Sequence, residues 1–126
     1  MIFDGISFHN VGELKDVGGG HRLQRVTYMV HTVAGANTAR PVACITLFPH
    51  FRDFCVDEDL LDKTAAFRQV LRDVVGSCPH PNVHLIEGPE MLTDLGGLTV
   101  DLIHPGDLGM IKMGERIADK LKALLP

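Results

Sequence analysis

An apolar segment at residues 42–48, with the sequence VACITLF, constrains the fold more than any other part of the chain. A strand that is apolar at every position has to be covered on both faces, as the strands of parallel sheets are. Apolar residues at helical spacing follow from residue 57 to about 75, and the sequence VHLI at residues 83–86 is typical of a second short strand. A last amphipathic helix is predicted at about residues 108–124. This order predicts an α/β fold with a short, mostly parallel sheet flanked by helices.

Local signals place the boundaries of these elements. Asp57 is a suitable N-cap for the first helix, and Gly76 stands where a glycine would end it. Pro105 suits the first turn of the last helix. Ahead of the apolar segment, residues 1–40 are weakly patterned, but the sequence RVTYMVHTV at residues 25–33 is rich in β-branched residues and predicts a further strand.

Length, charge and cysteine content exclude several classes of protein. A chain of 126 residues is long enough for one domain and too short for two, so residues 1–126 are predicted to form a single α/β domain. The 12 basic and 16 acidic residues give a net charge of −4 without a basic stripe, which argues against a nucleic acid or an anionic membrane as the partner. Three cysteines without a paired pattern, no pattern typical of a signal peptide and no apolar stretch of membrane-spanning length predict a cytoplasmic protein.

Two residues in the segment DLIHP, Asp101 and His104, carry the strongest chemical signal. An aspartate three residues before a histidine on a turn can fold back and accept the imidazole Nδ1–H. This contact fixes the tautomer and leaves Nε2 to act as a general base. The same spacing also occurs where the carboxylate only caps a turn, so spacing alone leaves both interpretations open.

The surroundings of this pair resemble the C-terminal end of the SGNH (GDSL-type) hydrolases. The sequences VHLIEGPEML at residues 83–92 and DLIHPGDLGM at residues 101–110 are similar to a strand of that superfamily and to the block D-G-x-H-P-N-x-x-G that follows it. Leu102 stands in place of the first glycine of the block, Gly106 stands in place of the asparagine, and Gly109 matches the last glycine.

This resemblance covers about residues 41–125 and, more loosely, residues 6–30. It implies a three-layer, flavodoxin-like α/β fold. It also implies that Asp101 and His104 are the Asp and the His of a Ser-His-Asp triad.

The nucleophile block of that superfamily, Gly-Asp-Ser, is absent from the chain, whose two serines are Ser7 and Ser77. The chain therefore resembles a member of the superfamily without its middle part. Water activated by His104 is the first candidate nucleophile. Cys55 is the second, because it follows the apolar strand on the side where open α/β sheets bind ligands, and a thiolate beside an imidazole is a competent nucleophile. Ser7 is the third, and it requires the N-terminal segment to pack against His104.

Three functions fit these residues. The first is weak hydrolysis of a small-molecule ester by Asp101 and His104 without a cofactor. The second is a binding or assembly module, an inactive remnant of an SGNH hydrolase that uses the cleft near His104 and His50. The third is metal-dependent hydrolysis of a phosphoester, with Zn²⁺ or Mn²⁺ held by His50 and Asp53 and bridging to the loop of His104. A short sheet with open edges also predicts a homo-oligomer, in which each subunit completes the sheet of the other.

Overall fold

The computed structural model of the protein describes residues 2–3 and 20–125, and the side chains of residues 23–125. The helices and strands are, in chain order, β1 (Ile2–Phe3), α1 (Gly20–Ala36), β2 (Val42–Ile45), α2 (Glu58–Gly76), β3 (Val83–Ile86), α3 (Gly88–Met91) and α4 (Asp107–Lys122). Short 3-10 helices follow β2 and α3, at Phe51–Phe54 and Leu95–Gly97. The described strands form a parallel sheet in the order β1-β2-β3, which confirms the predicted α/β class. None of the described helices has the length and apolar character needed to cross a membrane.

Alternate residues of β2 belong to two separate apolar clusters. One cluster lies between the sheet and helices α1 and α2, and its buried residues are Val26, Val30, Ala34, Val42, Cys44 and Val74. The other lies between the sheet and α4, and its buried residues are Ala43, Ile45, Ile86 and Met91. The sheet is therefore the middle layer of three, as predicted for a strand that is apolar at every position.

The prediction of a strand at residues 25–33 is wrong, because these residues belong to helix α1. Val26, Val30 and Ala34 follow one another at intervals of four residues and are buried, whereas Tyr28 is 74% exposed. β-branched residues lower helix propensity by less than about 1 kcal/mol each, and the burial of an apolar helical face outweighs this cost. The four-residue spacing was the better guide, and residue types alone favoured the wrong element.

Helix α2 begins as predicted and ends differently. Asp57 is its N-cap, and the carboxylate accepts the backbone N–H groups of the first turn. Gly76 is the last residue of the helix rather than a left-handed cap. Ser77 is the C-cap, and its hydroxyl donates to the Asp73 carbonyl at 2.7 Å.

Strand β2 ends at Ile45, short of the predicted end at residue 48. The carbonyl oxygens of Leu47 and Phe48 accept hydrogen bonds from Arg68 of α2. A buried guanidinium thus provides the hydrogen bonds for these two carbonyl groups beyond the end of β2.

Helix α4 approaches the preceding loop through a close contact between glycines. Pro105 was predicted to lie in the first turn of this helix. The helix begins at Asp107, so Pro105 lies before it. Pro105 pairs instead with Leu98 in an isolated β-bridge. A Cβ atom on Gly109 would lie 1.9 Å from the carbonyl oxygen of Gly97. The absence of a side chain therefore lets α4 pack directly on this loop.

Replacing Gly109 with alanine is expected to lower the free energy of unfolding by about 1–3 kcal/mol, because the new methyl group would force α4 away from Gly97. Urea unfolding followed by circular dichroism measures the change. Gly114→Ala is the matched control in the same helix, since nothing lies within 4 Å of its added Cβ. There the substitution is expected to stabilise the protein by about 0.5–1 kcal/mol through helix propensity. Equal effects of the two substitutions would contradict the close contact.

Candidate active site

The turn at residues 99–104, called here the His104 turn, lies against the loop that follows β2. The contact is a backbone hydrogen bond of 2.9 Å from the Phe51 N–H to the Leu102 carbonyl oxygen. Because Phe51 follows the carboxyl end of β2, the turn lies at the edge of the sheet where open α/β folds bind their ligands.

The predicted contact between Asp101 and His104 is present. Asp101 Oδ2 lies 2.6 Å from His104 Nδ1, and the imidazole side chain is 68% exposed. The other carboxylate oxygen accepts the Thr99 hydroxyl at 2.6 Å and the N–H groups of Ile103 and His104 at 2.8 and 3.0 Å. These hydrogen bonds, above all the one from the His104 ring, hold the pKa of Asp101 well below its usual range. An ionised carboxylate at this distance keeps the imidazole proton on Nδ1 and leaves Nε2 as the basic nitrogen.

The His104 turn contains a residue with left-handed backbone. Its ends are joined by a hydrogen bond of 2.8 Å from the Thr99 N–H to the His104 carbonyl. Between them, Leu102 has a φ angle of 56°, which costs a residue with a side chain about 1–2 kcal/mol. Leu102 stands where the resembled block has glycine, and the turn has the backbone conformation for which glycine is best suited.

A second aspartate–histidine contact, buried rather than exposed, lies in the loop after β2. Asp53 Oδ2 accepts the backbone N–H of His50 at 3.0 Å and lies 2.9 Å from His50 Nδ1. The same carboxylate binds both terminal nitrogens of Arg68, at 2.5 and 3.0 Å. His50 is 1% exposed and Arg68 8% exposed. These three residues are called here the Asp53 cluster.

The electrostatics of the Asp53 cluster favour the ionised carboxylate. Burial by itself raises the pKa of Asp53. The hydrogen bonds from His50 and Arg68 outweigh burial and hold the pKa well below its usual range. Asp53 is therefore a charged acceptor whose two oxygens are engaged within the protein.

Two arginines of α2 support the edge of the sheet, and neither was among the predicted site residues. Arg72 donates to both carboxylate oxygens of Glu87, at 2.7 and 2.9 Å, just after β3. Arg68 could have been found, because it lies four residues after Thr64 on the inner face of α2, and a guanidinium there has to have buried acceptors. One turn apart, Arg68 and Arg72 hold the chain where β2 and β3 end.

The predicted zinc or manganese site stays a prediction. Its two residues, His50 and Asp53, do contact each other, but Asp53 is also bound to Arg68. Among residues 23–125, whose side chains are described, no group of three or more His, Cys, Asp or Glu is arranged to hold a metal ion.

One candidate nucleophile is hydrogen-bonded within its own loop, and another lies outside the described residues. The Cys55 thiol is half-buried and donates to the Arg52 carbonyl at 3.0 Å, within its own loop. Ser7 lies outside the described part of the chain. Burial raises the pKa of Cys44 to about 11, which makes this core thiol inert.

Comparisons with known proteins place the chain by its fold. No family model matches it, and no curated protein does. A solved structure from Streptococcus pneumonia, provisionally named a platelet activating factor, is similar, with a TM-score of 0.68 at 17% identity. The match covers 93% of this chain and 57% of that chain, so this chain spans somewhat more than half the length of its structural neighbour. The likeness shows a shared fold.

The left-handed backbone at Leu102 gives a stability prediction. Leu102→Gly is expected to be more stable than Leu102→Ala by about 1 kcal/mol, because glycine adopts this conformation without strain. Both variants lose the leucine side chain, so the comparison isolates the backbone, and urea unfolding measures it. At Ala118, an exposed position in α4, glycine is expected to be about 1 kcal/mol less stable than alanine. If alanine were more stable than glycine at residue 102 as well as at residue 118, the left-handed conformation of Leu102 would be contradicted.

Proposed function

We propose that the protein is a hydrolase of SGNH type that acts on small-molecule esters, with His104 as general base and Asp101 as the residue that orients it. The 2.6 Å contact between Asp101 Oδ2 and His104 Nδ1 carries the proposal. This contact holds one nitrogen of an exposed imidazole and leaves the other as the base, at the edge of the sheet that suits a ligand.

The proposed reaction uses water as the nucleophile. His104 Nε2 removes a proton from a water molecule while the water oxygen attacks the ester carbonyl, and Asp101 stabilises the imidazolium that forms. The tetrahedral intermediate expels the alcohol, to which the imidazolium returns the proton. General-base help of this kind contributes about 10²–10⁴-fold. We therefore expect a weak or promiscuous esterase.

Cys55 and Ser7 are the second and third candidate nucleophiles. Attack by the Cys55 sulfur requires its hydrogen bond to the Arg52 carbonyl to break. An acyl-enzyme on either side chain would release the first equivalent of alcohol in a burst. Direct attack by water releases the alcohol linearly from the start.

The shared fold with the Streptococcus structure supports the proposal at the level of architecture. At 17% identity, the name of that protein transfers no substrate to this chain. We also place the protein in the cytoplasm, because Cys44, Cys55 and Cys78 are all unpaired, as is typical of a reducing compartment.

Hydrolysis of p-nitrophenyl acetate tests the proposal. The wild-type protein is expected to exceed the buffer rate by about 100-fold or more, the low end of general-base catalysis. His104→Ala is expected to fall to the buffer rate. Asp101→Asn is expected to lose most of the acceleration, because an amide does not stabilise the imidazolium as a carboxylate does. Absorbance of the released p-nitrophenolate measures each rate.

His80→Ala is the matched control for this experiment. It removes one imidazole from the loop before β3, at the amino ends of the strands and so at the other end of the sheet from His104. The variant is expected to keep the full wild-type rate. EDTA is expected to have no effect, whereas a loss that Zn²⁺ or Mn²⁺ restores would favour the metal-dependent alternative. Equal rates for wild type and His104→Ala would reject the proposed function.

An assembly module is the second candidate function, and the exposed apolar side chains favour it. Seven of the ten large apolar side chains exposed in the described part lie in the His104 turn, in the loop that contacts it or early in α4: Phe54, Val56, Val100, Leu102, Leu108, Met110 and Ile111. Val56 and Val100 are both 100% exposed. Where exposed apolar side chains lie together, they mark interaction sites. We propose that a second copy of the chain covers this patch.

Light scattering coupled to size exclusion tests the assembly. The wild-type protein is expected to be a dimer at tens of micromolar, and the double variant Val100→Ser/Leu108→Ser a monomer. Burying each of these side chains contributes about 1.5–3 kcal/mol, so losing both weakens association by about 100-fold or more. Tyr28→Ser removes an exposed side chain of α1 instead and is expected to leave the dimer intact. A monomeric wild type would reject this candidate.

A further inference from the structure

The Phe51 backbone N–H joins the buried Asp53 cluster to the exposed His104 turn. It donates to the Leu102 carbonyl at 2.9 Å. Leu102 directly follows Asp101, and its own N–H donates to the Thr99 carbonyl at 2.9 Å. Any movement of the Leu102 carbonyl therefore also shifts Asp101, whose carboxylate binds His104.

The His104 turn needs an anchor outside itself. The side chains of His104 and Asp101 are 68% and 45% exposed, so water competes for their hydrogen bonds. The left-handed backbone of Leu102 adds a cost of about 1–2 kcal/mol. Strained conformations of this kind persist where the surrounding structure holds them.

The Asp53 cluster fixes the position of the Phe51 N–H. Phe51 is the first residue of the 3-10 helix, His50 is its N-cap, and Asp53 is the third residue. Asp53 accepts the His50 N–H and the guanidinium of Arg68, which also donates to the Leu47 carbonyl at 2.8 Å. The backbone on both sides of Phe51 is thus tied to α2 by an ion pair whose guanidinium is buried.

We propose that Phe51 is a positioning residue for His104. Its N–H, held by the Asp53 cluster, fixes the Leu102 carbonyl and so keeps the Asp101 carboxylate on Nδ1 of His104. Phe51 contacts no reacting atom in this role. The benefit to catalysis rests on the proposed esterase function, whereas the effect on the His104 tautomer does not.

Two substitutions at residue 51 isolate this hydrogen bond. Phe51→Pro removes the N–H at the first position of a helix, which suits proline. His50 before it is extended, with φ −148° and ψ −179°, and an extended residue is favoured before proline. Phe51→Ala is the matched control, because it keeps the N–H and loses the same ring, including its contact with Arg52 at 5.6 Å. The proline Cδ takes the place of the hydrogen, so any difference between the two variants reports the broken hydrogen bond together with the displacement of the Leu102 carbonyl.

The tautomer of His104 is the first readout. In ¹⁵N NMR at alkaline pH, where imidazoles are neutral, the His104 proton is expected on Nδ1 in the wild type and in Phe51→Ala. In Phe51→Pro the Nδ1–H fraction is expected to fall well below that of Phe51→Ala. A residue that only stabilises the fold would leave this fraction unchanged in the folded protein.

The rate on p-nitrophenyl acetate is the second readout. Relative to Phe51→Ala, kcat of Phe51→Pro is expected to fall about tenfold with KM unchanged, since a misplacement of about 1 Å costs up to about 10²-fold. If the wild type has no esterase activity while the tautomer fractions of the two variants differ, the proposed function fails and the positioning role stands.

Equal tautomer fractions in the two variants would overturn the proposal, as would a wild-type His104 with its proton mainly on Nε2. If circular dichroism shows that Phe51→Pro does not fold, hydrogen exchange of the wild-type protein tests the positioning role instead. The amides of Phe51 and Leu102 are expected to exchange with one common opening free energy. Faster exchange of the Phe51 amide alone would overturn the proposal.

Discussion

A guanidinium keeps its charge inside a protein, so the buried side chain of Arg68 on α2 requires hydrogen-bond acceptors. It finds them in the Asp53 carboxylate and in the carbonyls of Leu47 and Phe48. Leaving one partner of a buried ion pair alone costs about 3–5 kcal/mol, which is a large part of the stability of a small domain. This guanidinium therefore fixes where β2 ends and how the following loop runs. The 3-10 helix, the Phe51 N–H and the anchor of the His104 turn all depend on that path.

Two aspartate–histidine contacts with a spacing of three residues occur in opposite surroundings. His50 is 1% exposed, and the Asp53 carboxylate beside it also binds a guanidinium. The His104 side chain is 68% exposed, and Asp101 is oriented toward it by N–H and hydroxyl donors of the same turn. The Asp53 carboxylate stabilises the loop after β2, because both of its oxygens bind groups of the protein. The Asp101 carboxylate holds an imidazole that is open to solvent, and the proposed function depends on these surroundings rather than on the spacing, which both pairs share.

Sequence reasoning succeeded where the structure depends on residues close in the chain. Strand β3 has the predicted bounds, Asp57 caps α2, and Asp101 reaches His104 because three residues separate them. It failed where distant contacts decide. Arg68 and Asp53 are separated by 15 residues, and a partner at that distance leaves no local pattern that would identify it. Helix α1 is a different failure, because its β-branched residues favoured a strand although the four-residue spacing of its buried face is a local pattern.

The two proposed functions meet at the His104 turn. A carboxylate and an imidazole in water interact through a high dielectric, and the charge that forms on the imidazole is stabilised far less than in a site closed to water. Val100 in this turn and Leu108 shortly after it have exposed apolar side chains. A second copy packed on them would shield the Asp101 carboxylate and strengthen its contact with the imidazole, whereas hydrolysis requires His104 Nε2 to stay open to water and substrate. Assembly and hydrolysis are therefore compatible where the interface covers the Asp101 side of the turn and leaves His104 Nε2 open.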